Sequence, residues 1–241
     1  MTRQLPLPFC HAPQFDRAAV LQAPSNQQAL AWLERKADWP QQRLALWGQA
    51  GCGKSHLLHR WSRRHGALLV DGGSLDGEPP AGPVAIDDAD LAAERPLLHL
   101  LNAAAEAGYP VLLASRAAPA RWATGLPDLA SRLRALLAVE IRPAEEELLR
   151  SLLLALLSQR QLAVTPPVQA FLLTHLPREP AALREATARL DRLALAEGGR
   201  VTRALAAAVV EELDAEATRP RDREDLPWPV AAVSPDGPGF L

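Results

Sequence analysis

Cysteine is scarce in this chain: Cys10 and Cys52 are the only two among 241 residues. Two thiols cannot build the bridge framework that holds small secreted domains together, so stability has to come from a buried core, and a reducing cytoplasm fits that usage. Long apolar runs are also missing. A run such as Leu152 to Leu157 falls far short of the roughly 20 residues that a helix needs to cross a bilayer, so no membrane partner is expected. The opening Met1-Thr-Arg-Gln-Leu-Pro-Leu-Pro-Phe9 has no apolar centre of the kind a secretion signal carries. Charge of one sign is lacking too. At a net −2 no global field draws the chain to nucleic acid, and any such contact has to be local or borrowed from a partner. No internal repeat is evident.

What remains is ordinary globular composition, 48% hydrophobic and 22% charged. Residues 1–12 are proline-rich and read as an extended arm. From 13 to 143 strands and helices alternate. Gln27 to Lys36 reads as a helix capped by Ser25, and Arg43 to Trp47 as a strand running into a glycine loop. Lys54 to Arg64 and Leu97 to Ala107 read as helices; Ala67 to Val70, Val84 to Ile86 and Val111 to Ala114 read as buried strands. That alternation predicts an α/β core, a parallel sheet covered by helices on both faces. From 144 to 213 only helices follow: Glu145 to Gln159, Val168 to His175, Pro180 to Ala196 and Thr202 to Leu213, a small all-helical lid. Acidic Glu145 and Glu146 suit the first turn of the lid against the helix dipole. Residues 214–241 are charged and proline-rich and read as a disordered tail.

The chemistry sits in two short segments. Gly48-Gln-Ala-Gly51-Cys52-Gly53-Lys54-Ser55 satisfies G-x-x-x-x-G-K-[ST] between a strand and a helix. Glycines let successive backbone N–H groups face phosphate oxygens, and the positive helix end at Lys54, Ser55 and His56 adds to them. Lys54 is expected on the β/γ-phosphates and the Ser55 hydroxyl on Mg²⁺, with ATP or ADP as the nucleotide. Val84-Ala-Ile-Asp87-Asp88 is an apolar strand ending in paired acids. Asp87 suits the Mg²⁺ shell and Asp88 the orientation of an attacking water. By themselves two acids serve equally well as a helix cap.

This order, glycine loop, Asp87-Asp88, an arginine within Leu129-Ala-Ser-Arg132-Leu133, then a helical lid, resembles the AAA+ module of the bacterial replication initiator DnaA. It resembles more closely the Hda family of DnaA-related regulators, through Leu46-Trp47-Gly48, Gly53-Lys54-Ser55-His56-Leu57-Leu58 and Gly125-Leu126-Pro127-Asp128-Leu129-Ala130-Ser131-Arg132-Leu133. The resemblance implies an AAA+ P-loop fold and makes Arg132 an arginine finger, a planar cation offered to a neighbouring subunit's γ-phosphate. It makes Arg178, in Leu176-Pro-Arg178-Glu179-Pro180, the lid arginine that reaches phosphate, with Arg184 as a competitor. Arg116, after Ser115, departs from the initiator's polar-acidic pair, which places efficient self-hydrolysis in question. Gln4-Leu5-Pro6-Leu7-Pro8-Phe9 resembles the peptides by which bacterial replication proteins bind the sliding clamp: Gln4 hydrogen-bonded, Leu7 and Phe9 in an apolar pocket, Leu5 setting register.

The function implied is regulation of replication initiation in the cytoplasm. The chain would dock on the DNA-loaded clamp, touch DNA indirectly through it, and promote hydrolysis of ATP held by DnaA; homo-oligomers are compatible with the module. An initiator or helicase loader acting on DNA directly is the alternative, against which stand the near-neutral charge and a proline-rich stretch after Leu213 unsuited to a recognition-helix pair. An independent ATPase subunit and a clamp-binding adaptor without nucleotide chemistry complete the alternatives.

Overall fold

The protein is described by a computed structural model at residues 20–75, 82–196 and 200–217. Five strands run β1 (Arg43–Trp47), β2 (Leu68–Asp71), β3 (Val84–Asp87), β4 (Val111–Ser115) and β5 (Leu137–Glu140). They form one parallel sheet in the order β2-β3-β4-β1-β5. Helices α1 (Gln27–Glu34) and α2 (Lys54–His65) belong to one face, and α3 (Glu94–Ala107) and α4 (Pro127–Ala135) to the other.

Side chains in a strand point alternately to the two faces, and the central strands divide accordingly. Leu44, Leu46, Ala85, Leu112 and Ala114 join Leu57, Leu58 and the stacked pair Trp39–Trp61, whose ring centroids are 5.4 Å apart. Ala45, Val84, Ile86, Val111 and Leu113 join Leu97, Leu100, Leu101, Leu129 and Leu133. Both faces are covered, so these strands read as continuous apolar runs, as buried parallel strands do.

Four helices follow: α5 (Glu146–Gln159), α6 (Pro166–His175), α7 (Pro180–Ala196) and α8 (Arg203–Ala217). They close over their own core of Leu152, Leu153, Leu156, Leu172, Leu190 and Val209. Arg189 of α7 ties in α8 through Glu216 at 2.5 Å and Glu212 at 3.5 Å.

The structure corrects the sequence reading in three places. Ser25 does not cap α1. Its hydroxyl donates to Glu145 Oε2 at 2.8 Å, and the Arg142 guanidinium donates to Pro24 O at 2.8 Å, so the chain before α1 is fastened to the start of the lid. The second and third corrections are additions: α4, which Pro127 opens at its first turn, and edge strand β5 beside β1. Leu133 to Ile141 is apolar enough for either element, and only pairing to Leu44–Trp47 decides for a strand. The arm 1–12 and residues 218–241 lie outside the described residues. Among the described residues no helix is long and apolar enough to cross a membrane.

Candidate nucleotide site

The glycine loop leaves the C-terminal end of β1 and enters α2, in a sheet where β4 separates β1 from β3. Ligands of open parallel sheets gather at the carboxyl ends of such strands. Gly48 N donates to Ser115 O at 3.2 Å, which anchors the loop to the end of β4. Gly53 is the residue before α2, with φ 102°, a left-handed conformation that a side chain resists. A Cβ there would meet nothing within 4 Å, so that side of the loop is open. Lys54 is 6% exposed, and its ammonium donates to Gly48 O and Gln49 O at 2.8 Å each. Ser55 is exposed beside it. Burial pushes the Cys52 thiol up despite the adjacent Lys54 charge, so it stays protonated and is a poor nucleophile. Burial first, and the Arg184 charge second, lower His56 to about 3, and the ring is neutral at physiological pH.

Asp87 ends β3 in register with Asp71 of β2, and its Oδ1 accepts from Asp88 N at 3.1 Å. It is 7% exposed. Asp88 turns sharply, with φ 43°, a conformation aspartate tolerates. Burial, and then the Asp87 charge, raise its carboxyl above the usual range, while Arg116 opposes them. Arg116 itself donates its backbone N–H to Asp90 Oδ2 at 3.3 Å. The turn is wedged against β2: a Cβ on Gly72 would fall 2.3 Å from Asp88 O, a backbone atom that cannot swing aside. Gly72→Ala should therefore lower stability by about 1–3 kcal/mol through overpacking, some 2–10 °C in melting temperature. Gly73→Ala, whose Cβ meets only the Asp71 carboxylate at 3.2 Å, should melt within a degree or two of the parent. Equal melting of all three proteins would show that the two loops are not in contact.

Beside the loop a cleft opens between the chain before α1, the start of α2, and lid helices α5 and α7. Val20, Leu21, Leu57, Leu148, Leu152 and Pro180 make it apolar; Ser25, Asn26, His56 and Arg184 supply polar groups. The lid also presses on the loop directly, since a Cβ on Gly51 would coincide with the Glu179 side chain.

The structure brings most of the expected residues together and separates two. Gly48, Gly51, Cys52, Gly53, Lys54, Ser55 and His56 form the loop and first turn of α2; Asp87 and Asp88 end β3. Arg178 does not line the cleft. Its side chain is 75% exposed and lies 3.9 Å from Glu146. The lid arginine that does line it is Arg184, whose guanidinium has a buried Nε with no hydrogen-bond partner and a pKa lowered by burial. A signal existed: Pro180 and Arg184 stand one turn apart on α7, and both face the cleft. Arg132 lies elsewhere. It is on α4, 3.6 Å from Asp128, and its charge bears on buried Arg43, which opens β1 at the end away from the loop. The peptide Gln4, Leu5, Leu7, Phe9 lies outside the described residues.

No protein-family model and no curated protein sequence matches the chain. Among solved structures it is similar to domain III of the Thermotoga maritima replication initiation protein DnaA, at 18% identity and a TM-score of 0.65, over 79% of this chain and 93% of that one. It is also similar to AMPPCP-bound DnaA from Aquifex aeolicus, at 16% identity and a TM-score of 0.56, over 74% of this chain and 65% of that longer one. A Thermotoga maritima RuvB variant matches at 15% identity and a TM-score of 0.57, over 78% of this chain and 67% of that one. The chain thus spans about two thirds of the longer proteins it is similar to. At such identities the likeness speaks for architecture, and the architecture is the DnaA-like AAA+ P-loop fold, a parallel five-stranded sheet with a helical C-terminal part.

Proposed function

We propose that the chain is a nucleotide-binding regulator of replication initiation in the cytoplasm, of the Hda kind, which promotes hydrolysis of ATP bound to DnaA while docked on the DNA-loaded sliding clamp. The carrying observation is the separation of two half-sites: the loop and Asp87–Asp88 at one end of the sheet, Arg132 beside Arg43 at the other. An arginine so placed is remote from the chain's own loop and serves only a nucleotide held by a neighbour. The residues present fit ADP or ATP with Mg²⁺. Open backbone at Gly53, the buried ammonium of Lys54 and the Arg184 guanidinium supply cationic and N–H donors for phosphates, and Arg178 comes into range only if the lid moves. Ser55 and Asp87 supply oxygen ligands for the metal, whose charge would neutralise the phosphates. Asp88, held toward its neutral form by burial and Asp87, is the group to orient a water. Arg116 beside it supplies positive charge where an acceptor would help, so hydrolysis on the chain's own nucleotide is slow and that nucleotide is mainly conformational. The decisive experiment mixes the chain with ATP-loaded DnaA, clamp and DNA and follows conversion to ADP; no acceleration over DnaA alone overturns the reading.

The AAA+ fold is shared with proteins that act on DNA themselves, so a DnaA-like initiator or loader is the second reading; it predicts DNA unwinding or helicase loading without clamp. The clamp assignment has its own test. Replacing Gln4, Leu7 and Phe9 by Ala should remove a contact of roughly micromolar strength, about 8 kcal/mol, without changing the melting temperature. Co-elution of the triple variant with clamp at unchanged affinity would discard the peptide as the contact.

A further inference from the structure

The chain's near-neutral total conceals an uneven surface. Between Gln27 and Val70 the only acids are Glu34 and Asp38. The basic residues there are Arg35, Lys36, Arg43, Lys54, Arg60, Arg63 and Arg64. Arg43 and Lys54 are buried and belong to the fold and the loop; the other five stand at the surface.

The fold gathers Arg35, Lys36, Arg60 and Arg64 at one place. Arg60 and Arg64 are one turn apart on α2, about 6 Å along the helix. Both bear on Glu34 at the end of α1, whose two carboxylate oxygens both accept from Arg64 Nη1, at 2.6 and 2.7 Å. Lys36, from the turn after α1, bears together with Arg64 on His65. Arg35 lies over the Trp32 ring, 4.8 Å from its centroid. The His65 ring is held toward neutrality by burial first and then by these cations, so it adds no charge at physiological pH. The cations gathered there are Arg35, Lys36, Arg60 and Arg64, around the carboxylate of Glu34. Dipole compensation at the end of α2 explains Arg63 and Arg64, but not Arg35, Lys36 or Arg60.

We propose that this α1–α2 face is a contact for the phosphate backbone of duplex DNA, read without regard to sequence. Three features favour a polyphosphate over an acidic protein. The cations are almost all guanidiniums, which pair with phosphate oxygens through two donors. Among the described residues the exposed large apolar side chains, Leu68, Leu91, Leu154 and Leu195, all lie outside α1 and α2, and Trp32, the aromatic ring on this face, is partly buried with Arg35 over it. The face also begins about 9 Å along α2 from Lys54, at Arg60, and ends about 15 Å from it, at Arg64, so it lies apart from the nucleotide loop. Binding by this face alone is weak, in the range of non-specific contacts, about 10⁻⁴–10⁻⁵ M. It gains weight wherever another contact already holds the chain beside DNA. It does not depend on the regulatory reading, and its test contains neither clamp nor DnaA.

The probe is a fluorescein-labelled mixed-sequence duplex, titrated with the full chain at several salt concentrations and followed by anisotropy. The parent should bind at 50 mM NaCl and weaken with a log–log slope of about −3. Lys36→Glu with Arg60→Glu should weaken binding at least tenfold at unchanged melting temperature. Glu34→Gln should tighten binding about threefold, because it releases Arg64 from its carboxylate. A role confined to helix stability predicts neither change. Parent binding that is absent at 50 mM, or a charge-reversal variant and Glu34→Gln that both bind like the parent, overturns the proposal. Salt-dependent parent binding that Arg116→Glu with Arg121→Glu abolishes while Lys36→Glu with Arg60→Glu leaves it intact also overturns it and moves the contact to the other end of the sheet.

Discussion

Lys54→Ala should abolish binding of ATP and ADP and remove the thermal stabilisation that either produces. The ammonium is enclosed by its own loop, donating to Gly48 O and Gln49 O at 2.8 Å, so it already stands in the cradle that Gly48, Gly51 and Gly53 shape. A polyphosphate placed there meets a positive charge that water screens little, because Lys54 is 6% exposed. Without it the phosphates keep the backbone N–H dipoles of the loop but lose the cation buried at its centre. We expect affinity to fall by two orders of magnitude or more, about 2.7 kcal/mol. Ligand at a hundred times its dissociation constant stabilises the parent by about 2.7 kcal/mol, which should raise its melting temperature by some 5–10 °C. The variant should show no such shift. Its ligand-free fold should survive, since the loss falls on two carbonyl contacts at the loop, worth about 1 kcal/mol each, and a longer one to Cys52 Sγ at 3.8 Å. Calorimetry decides: equal affinity in variant and parent would falsify the P-loop as the nucleotide site.

How much of this site the sequence carried depends on how local each feature is. The loop and the paired acids were legible because each is a run of neighbours whose chemistry is fixed by spacing along one strand and one turn. The central strands were legible because burial on both faces leaves uninterrupted apolar runs, as in Val84–Asp87 and Val111–Ser115. Strand β5 was not, because only Val139 within it is fully buried and its pairing partner lies some ninety residues away in β1. The cleft escaped for a similar reason. Val20, Leu57, Leu148 and Arg184 come from four segments that only the tertiary fold brings together. Ser25 misled because a hydroxyl before a helix is a good cap in isolation; tertiary structure gave it Glu145, 120 residues away, as a stronger charged acceptor. Arg178 and Arg184 illustrate the limit of a family pattern. The pattern selects by order along the chain, whereas the cleft selects by helix face, and these two arginines fall on different sides of that test.

Arg132 carries the functional proposal, and its removal should have the largest effect on activity. Arg132→Ala should leave fold, nucleotide binding and clamp binding at parent levels, yet lose most of the stimulation of ATP hydrolysis on DnaA. The first half follows from geometry. The side chain is one-third exposed, its ion pair among the described residues is to Asp128 at 3.6 Å within the same helix, and such pairs contribute about 0.5 kcal/mol. The leucines that hold α4 in place, Leu129 and Leu133, are untouched. Loss of the guanidinium also relieves its repulsion of buried Arg43, so the variant should melt no lower than the parent. The second half follows from charge. Phosphoryl transfer spreads negative charge over the γ-phosphate and the bridging oxygen, and a guanidinium supplied by a neighbour is worth about 10³–10⁵ in rate. Arg132→Lys should rescue poorly, because one compact ammonium cannot span both sites as a planar fork does. The defect should be largest in the full assembly with DNA-loaded clamp, where docking raises the local concentration of the finger near DnaA. Arg132→Ala stimulating as well as the parent there would mean that the arginine touches no nucleotide in trans. A parent that itself fails to stimulate would instead remove the regulatory reading and leave a clamp-bound adaptor.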